Sequence, residues 1–236
     1  MKKIILFLLA GALLYSCSLL DPPKTFKDSR DSKVYQTVIM GEQTWMAENL
    51  AYLPSVVGPA ADSFTEPYYY VYDYDGTDVE AAKATANYTT YGVLYNWTAA
   101  LTACPAGWHL PSDAEWTQLE NYLIANGYNY DGSTTGNKIG KSLASESGWE
   151  SNSGTGSVGD TDYPAYRNKS GFTALPGGIR YYDGTFQGIG YSGKWWSSAG
   201  SSMTGAWTRG LTYHAFDLKR IEEGKENGYS VRCVRD

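Results

Sequence analysis

The run CPAGWHLPSDAEW, residues 104–116, gathers a thiol, an imidazole, a hydroxyl and a carboxylate. Cys104 and His109 are the residue types of a nucleophile and its base, since an imidazole titrates near neutrality and can take a thiol proton. A structural reading competes with that chemistry. Ser112 and Glu115 have the spacing of a capping box, with Trp116, Leu119 and Leu123 following on one helical face. His109 stands between Trp108 and Leu110 and reads as a packed residue whose ring nitrogen bonds nearby backbone, because the sequence shows no partners for catalysis.

Three further groups bear on chemistry. Gly154, Gly156 and Gly159 match a dinucleotide fingerprint by letters, but polar residues precede them and Pro164 follows, so the strand and helix that the motif needs are missing. Asp73, Asp75 and Asp78 have the acid density of a calcium loop without its glycine placement or closing Glu, and read as an incidental acidic turn with no metal assigned, an irregular hard-cation site being the alternative. No Gly-x-Ser-x-Gly, His-Glu-x-x-His or Cys-x-x-Cys occurs. The expectation is a protein that is not an enzyme and carries no cofactor.

The third group is aromatic. There are 21 Tyr and 8 Trp against 6 Phe, a bias toward amphipathic rings that suits either half-buried strands or a wet binding face. Tyr181, Tyr182, Trp195, Trp207 and Tyr213 lie in one Gly-rich region. Sugar rings stack their C–H faces on such side chains, while Arg180, Asp183 and Asp217 could bond hydroxyls. Strand alternation points Trp195 and Trp196 to opposite faces, so one of them belongs to a core, and Trp196 is the one expected there.

The elements that position these groups begin with a leader. Lys2 and Lys3 precede an apolar run over residues 4–14, too short to span a bilayer, which reads as a signal peptide over residues 1–16. Leu14-Tyr15-Ser16-Cys17 resembles a bacterial lipobox, so Cys17 is the expected lipidation site, with plain secretion as the alternative. Residues 17–33 then form a lipidated tether, polar and with Pro22 and Pro23. The expected location is the bacterial cell envelope, lipid-anchored in the outer membrane. Loss of Lys2 and Lys3 takes the formal charge from −6 to −8, which argues against nucleic acid as a partner. Export also leaves Cys104 and Cys233 as an even pair in an oxidising compartment, so they read as a disulfide.

Residues 34–39 and 44–50 read as a hairpin turning at Gly41, and residues 54–86 as an irregular Tyr-rich insert. A first helix is expected over 91–101 from the spacing of Val93, Leu94, Trp97 and Leu101, and a second from Ser112 to Asn126. NKIGKSLAS adds a weak helical turn, and residues 151–160 a flexible loop. From Gly171 onward the chain reads as short strands with Gly-rich turns. Two helices against antiparallel strands in a single domain over 34–236 make an α+β fold.

The motifs TVIMGEQTWMAENL, YGVLYNW, ACPAGWHLPSDAEW, GFTALPGGIR, WWSSA and GYSVRCVRD, in that order, resemble the Fibrobacter succinogenes major paralogous domain. The similarity runs from Val34 to Asp236. It implies a secreted or lipoprotein domain with no established activity, in a C-type-lectin-like fold whose first cysteine pairs with one on the last strand. The calcium-and-sugar motifs of C-type lectins are absent, Glu66-Pro67-Tyr68 being a partial match in the wrong part of the chain. The catalytic cysteine pair of the formylglycine-generating enzymes, which share that fold, is absent too. The expected function is an envelope-anchored binding module for polysaccharide or another cell-surface ligand. The alternative is a structural or protein-interaction domain of the envelope.

Overall fold

In a computed structural model describing residues 24–236, the N-terminal hairpin forms as its alternation requires. Strands β2 (Val34–Met40) and β3 (Gln43–Met46) pair antiparallel, and Gly41 takes the positive φ of 64° that the tight turn demands. The preceding segment corrects the tether expectation. Thr25–Lys27 is strand β1, paired with β2 from Thr25 opposite Gln36 to Lys27 opposite Val34. Beyond it, Arg30 bonds Asp28 and lies 3.7 Å over the Tyr52 ring. Folded structure therefore begins by residue 25. Cys17 and the expected signal peptide lie outside the described residues.

The insert contains strand β4 (Tyr69–Tyr70) and helix α1 (Val79–Lys83), followed by α2 (Ala86–Tyr91). The helix expected over 91–101 is different in kind. Residues Leu94–Tyr95 form strand β5, paired with β4, and only Trp97–Ala103 is helical, as α3. Asn96 sets that boundary, because its side chain accepts the Ala99 amide at 3.0 Å as an N-cap. Leu101 is 42% exposed, so the apparent apolar period mixed a strand with a helix.

Strand β6 (Trp108–His109) follows, then α4 (Asp113–Ala125) with both halves of the Ser112–Glu115 capping box formed. Helix α5 (Gly140–Leu143) is the short turn expected in NKIGKSLAS. The remainder is strand-rich: β7 (Gly177–Arg180), β8 (Phe186–Ile189), β9 (Ser192–Gly200), β10 (Gly205–Thr212), β11 (Lys219–Gly224) and β12 (Val234–Arg235). The fold is α+β, with five helices rather than two among the described residues.

Two five-stranded sheets organise the chain, in the orders β1-β2-β3-β12-β6 and β11-β10-β9-β7-β8. Each sheet divides its side chains between two buried clusters. Tyr35, Met46, Trp196 and Ala206 enter one cluster with Ala99, Ala100 and Ala103 of α3. Trp45, Trp195, Leu211 and Val234 enter the other with Trp116, Leu119 and Leu123 of α4. Trp45, Trp116, Trp195 and Trp196 are fully buried. At about 200 Å² and about 25 cal/mol per Å², each contributes on the order of 5 kcal/mol. The Cys104–Cys233 disulfide, with Cα atoms 5.9 Å apart, ties the end of α3 to the residue before β12.

Candidate functional site

The start of β9 and the end of β10 meet with Thr212 opposite Ser192. That register carries Tyr213 beside Tyr191, where the Tyr213 amide donates to the Tyr191 carbonyl at 2.9 Å. The two rings meet edge-on, with centroids 5.2 Å apart and planes at 90°. The loop expected over 151–160 docks against this corner. The Gly159 amide donates to the Tyr213 carbonyl at 2.6 Å, Val158 to Ala215 at 2.9 Å and Glu150 to Gly190 at 2.8 Å. An open groove of about 430 Å³ results, lined by Tyr213 with Ser151, Asn152 and Ser153.

The polar groups around the groove are unspent. Asn152 Oδ1 accepts from the Gly154 amide and the Ser157 hydroxyl at 2.7 and 3.0 Å, which fixes the side chain and leaves its Nδ2 donor without a protein partner. Among the described residues, the Ser151 and Ser153 hydroxyls and the Tyr191 and Tyr213 phenols likewise bond no protein group. His214 packs edge-on to Tyr213, 5.1 Å between centroids. An aromatic face beside free amide and hydroxyl groups can stack an apolar ring face and bond the hydroxyls around its edge.

The remaining expected ligand residues do not converge on one face. Asp217 lies in the same β10–β11 connection as Tyr213. Trp207 is six residues earlier on β10, about 20 Å along the strand, and the Arg220 guanidinium covers its ring at 3.3 Å. Arg220 is held there by Asp113 at 2.9 Å. Tyr181 and Tyr182 occupy the β7–β8 turn. Tyr181 packs against the first core, whereas Tyr182 is 63% exposed, its amide donating to Asn227 Oδ1 at 2.7 Å.

Two expected ligand residues are corrected outright. Arg180 is fully buried, and its guanidinium is consumed by the carbonyls of Pro59, Ala61 and Glu226 over the Tyr70 ring. It pins the insert to the sheet, and its full burial keeps it from a ligand at the surface. Trp195 is fully buried as well, with Nε1 donating to Asn49 Oδ1 at 2.9 Å. Trp195 and Trp196 do point to opposite faces, but both faces are core.

His109 also departs from expectation. Its Nδ1 lies 2.6 Å from Asp236 Oδ1 and its Nε2 2.7 Å from Glu115 Oε1, so the ring bridges two carboxylates rather than binding backbone. Burial pulls the imidazole pKa down, and the Asp236 and Glu115 carboxylates outweigh it, leaving it raised. With both nitrogens engaged, the ring has no free site to take a substrate proton. Asp78 of the acidic turn caps α1, accepting the Glu80 and Ala81 amides at 2.9 and 3.1 Å.

The model of the Fibrobacter succinogenes major domain matches residues 38–235. The chain belongs to that family. Neither curated proteins nor solved structures provide a match. In this Fibrobacter succinogenes major domain, the family cassette from Cys104 to Trp116 is architectural: the cysteine staples, Ser112 and Glu115 cap, and His109 ties α4 to the end of the chain. The groove residues that sequence reasoning missed are Ser151, Asn152 and Ser153. Their signal was the Ser/Asn-rich composition of a loop, which carries no partner information until strand register places it beside Tyr213.

Proposed function

We propose that this chain is an envelope-anchored, non-enzymatic binding module for polysaccharide, with the Tyr213 groove as its working site. One observation carries the reading: Tyr213, held edge-on against Tyr191, borders a groove whose Asn152 Nδ2 and Ser151 and Ser153 hydroxyls have no protein partner among the described residues. Rigid rings give contact area at low entropic cost, and the docked loop supplies directional bonds. The fold is read as C-type-lectin-like, supported by the cysteine staple from the first long helix segment to the last strand and by termini meeting in one sheet. The anchor is lipidated Cys17 in the outer membrane, a reading supported by the lipobox-like sequence. Among the described residues no helix is long and apolar enough to cross a membrane.

The alternative reading is a structural or protein-interaction domain of the envelope. Tyr182 at 63% and Met203 at 94% exposure are isolated apolar side chains away from the groove, which do not by themselves mark an interface. A polysaccharide panel presented to the purified full chain separates the two. Binding that Tyr213→Ala abolishes and Tyr182→Ala leaves intact supports the groove. Binding that survives Tyr213→Ala places the working face elsewhere.

A further inference from the structure

A second cavity, of about 160 Å³, opens on the other sheet. It is lined by Phe26 of β1, Thr37 of β2, Thr44 of β3, Trp108 of β6 and Arg235 of β12, with Thr25 at its edge. Sheet register explains the company. Arg235 is directly opposite Trp108 across β12–β6, so their side chains rise on the same face. Phe26 closes the far side against Trp108, with ring centroids 5.1 Å apart.

The chemistry of this lining is specific. Arg235 is the one charged residue among those lining the cavity, and among the described residues it makes no hydrogen bond, ion pair or ring contact. Arg235 is exposed, whereas Arg30 is engaged by Asp28, Arg167 by the Asp160 carbonyl, Arg180 by carbonyls, Arg209 by Asp113 and Glu120, and Arg232 by carbonyls and Asn49. Asp236, the nearest acid in sequence, is held by His109 at 2.6 Å and does not neutralise its neighbour. A guanidinium presents a planar fork that matches a carboxylate in two parallel bonds. The aromatic walls offer apolar surface beside it, and Thr25 and Thr44 offer hydroxyls. A cavity of about 150 Å³ holds a benzene-sized ring. The opening therefore fits one ring and its acidic substituent.

We infer that the Phe26–Trp108–Arg235 cavity is a separate binding site for a single ring that carries a carboxylate, with Arg235 taking the carboxylate and Trp108 and Phe26 the ring. A uronic acid residue of a polysaccharide and an aromatic acid share this chemistry. The site is on a different sheet from the Tyr213 groove and does not rest on that groove binding anything.

The test is a titration of the purified full chain with D-glucuronate, benzoate and D-glucose, following the Trp108 indole resonance. The expected result is saturable binding of at least one carboxylate, no binding of glucose, and about 10- to 100-fold weaker binding in Arg235→Gln, the loss of a charge-assisted pair. Glucuronate binding alone identifies a sugar acid, and benzoate binding alone an aromatic acid. Tyr213→Ala should leave these titrations unchanged, so failure of the groove reading does not touch them. Absence of binding by both carboxylates, equal binding of glucose, or undiminished binding by Arg235→Gln overturns the inference.

Discussion

Removing the Arg209 side chain should destabilise the protein more than losing any surface ion pair. Arg209 is 1% exposed on β10, with Nε on Glu120 Oε1, Nη1 on Asp113 Oδ1 at 2.7 Å and Nη2 on Thr117 Oγ1 at 3.2 Å. All three partners are on α4, so one guanidinium locks that helix to the second sheet. Burial raises the Glu120 pKa and Arg209 pulls it back, leaving it above the ordinary value of 4.5. Arg209→Ala takes away that cation and leaves a half-buried carboxylate unpaired. Breaking a buried pair from one side costs about 3–5 kcal/mol, roughly 6–20 °C of melting temperature in a domain of this size. Denaturant unfolding followed by tryptophan emission measures the loss. The double variant Arg209→Ala with Glu120→Gln should cost less than the sum of the singles by about 0.5–3 kcal/mol. A carboxyl whose folded pKa is raised favours folding while protonated and loses that contribution as pH rises through the folded value. The Arg209→Ala deficit should therefore shrink near about pH 4, where Glu120 carries its proton. A single-variant cost below about 1 kcal/mol, or costs that simply add, would refute the argument.

The Cys104–Cys233 bond closes a loop of sequence separation 129, which the chain-entropy account values at about 5 kcal/mol. Reduction, or Cys104→Ala with Cys233→Ala, should lower the melting temperature by roughly 10–20 °C, and calorimetry finding under about 3 °C contradicts this. The His109 bridge predicts a pH signature. The His109 pKa is raised, so its contribution is complete below 6.5 and is lost as pH rises through the folded value. The Glu115 pKa is lowered, burial opposing the Ser112 and His109 bonds, so its contribution is complete above 4.5 and is lost on acidification. The melting-temperature gap between wild type and His109→Gln should be widest between pH 4.5 and 6.5; a gap independent of pH contradicts the bridge. Gly156 has φ of 71°, and a Cβ there would fall 2.1 Å from the Tyr130 ring. Gly156→Ala should therefore cost about 1–2 kcal/mol for the backbone alone, plus displacement of the ring. Loss of the 150–160 loop's protection from amide exchange checks it.

Local features of the fold were legible because their causes are local. The Ser112–Glu115 box, the Gly41 turn and the break after Ala125 each follow from residues within one helical turn. The disulfide was legible for a different reason, since the expected export and lipidation of Cys17 would leave two thiols and no choice of partner. What the sequence hid depends on distant packing. Strand alternation separates Trp195 from Trp196 but says nothing of a sheet with core on both faces. An arginine is ordinarily a surface residue, and only the return of residues 59–61 over β7 makes Arg180 an interior strut. His109 meets Glu115 six residues away and Asp236 at a separation of 127, neither of which is a helical or strand interval.

The placement of β12 has a consequence for how the chain is made. Val234 pairs with Trp45 on one side and His109 on the other, so the last strand is an interior strand of the sheet that the first strands begin. A ribosome or export channel that releases the chain from its N-terminus delivers β12 after every other strand. Until then β3 and β6 face an empty lane, Cys104 has no sulfur to meet, and Trp45 and Trp108 have no β12 beside them. Pairings of such long sequence separation form slowly and only once loop closure is possible. The sheet is thus held open by its own topology until the last strand is made. Closure of the sheet, disulfide formation and packing of β12 beside Trp45 and Trp108 should then occur as one late event.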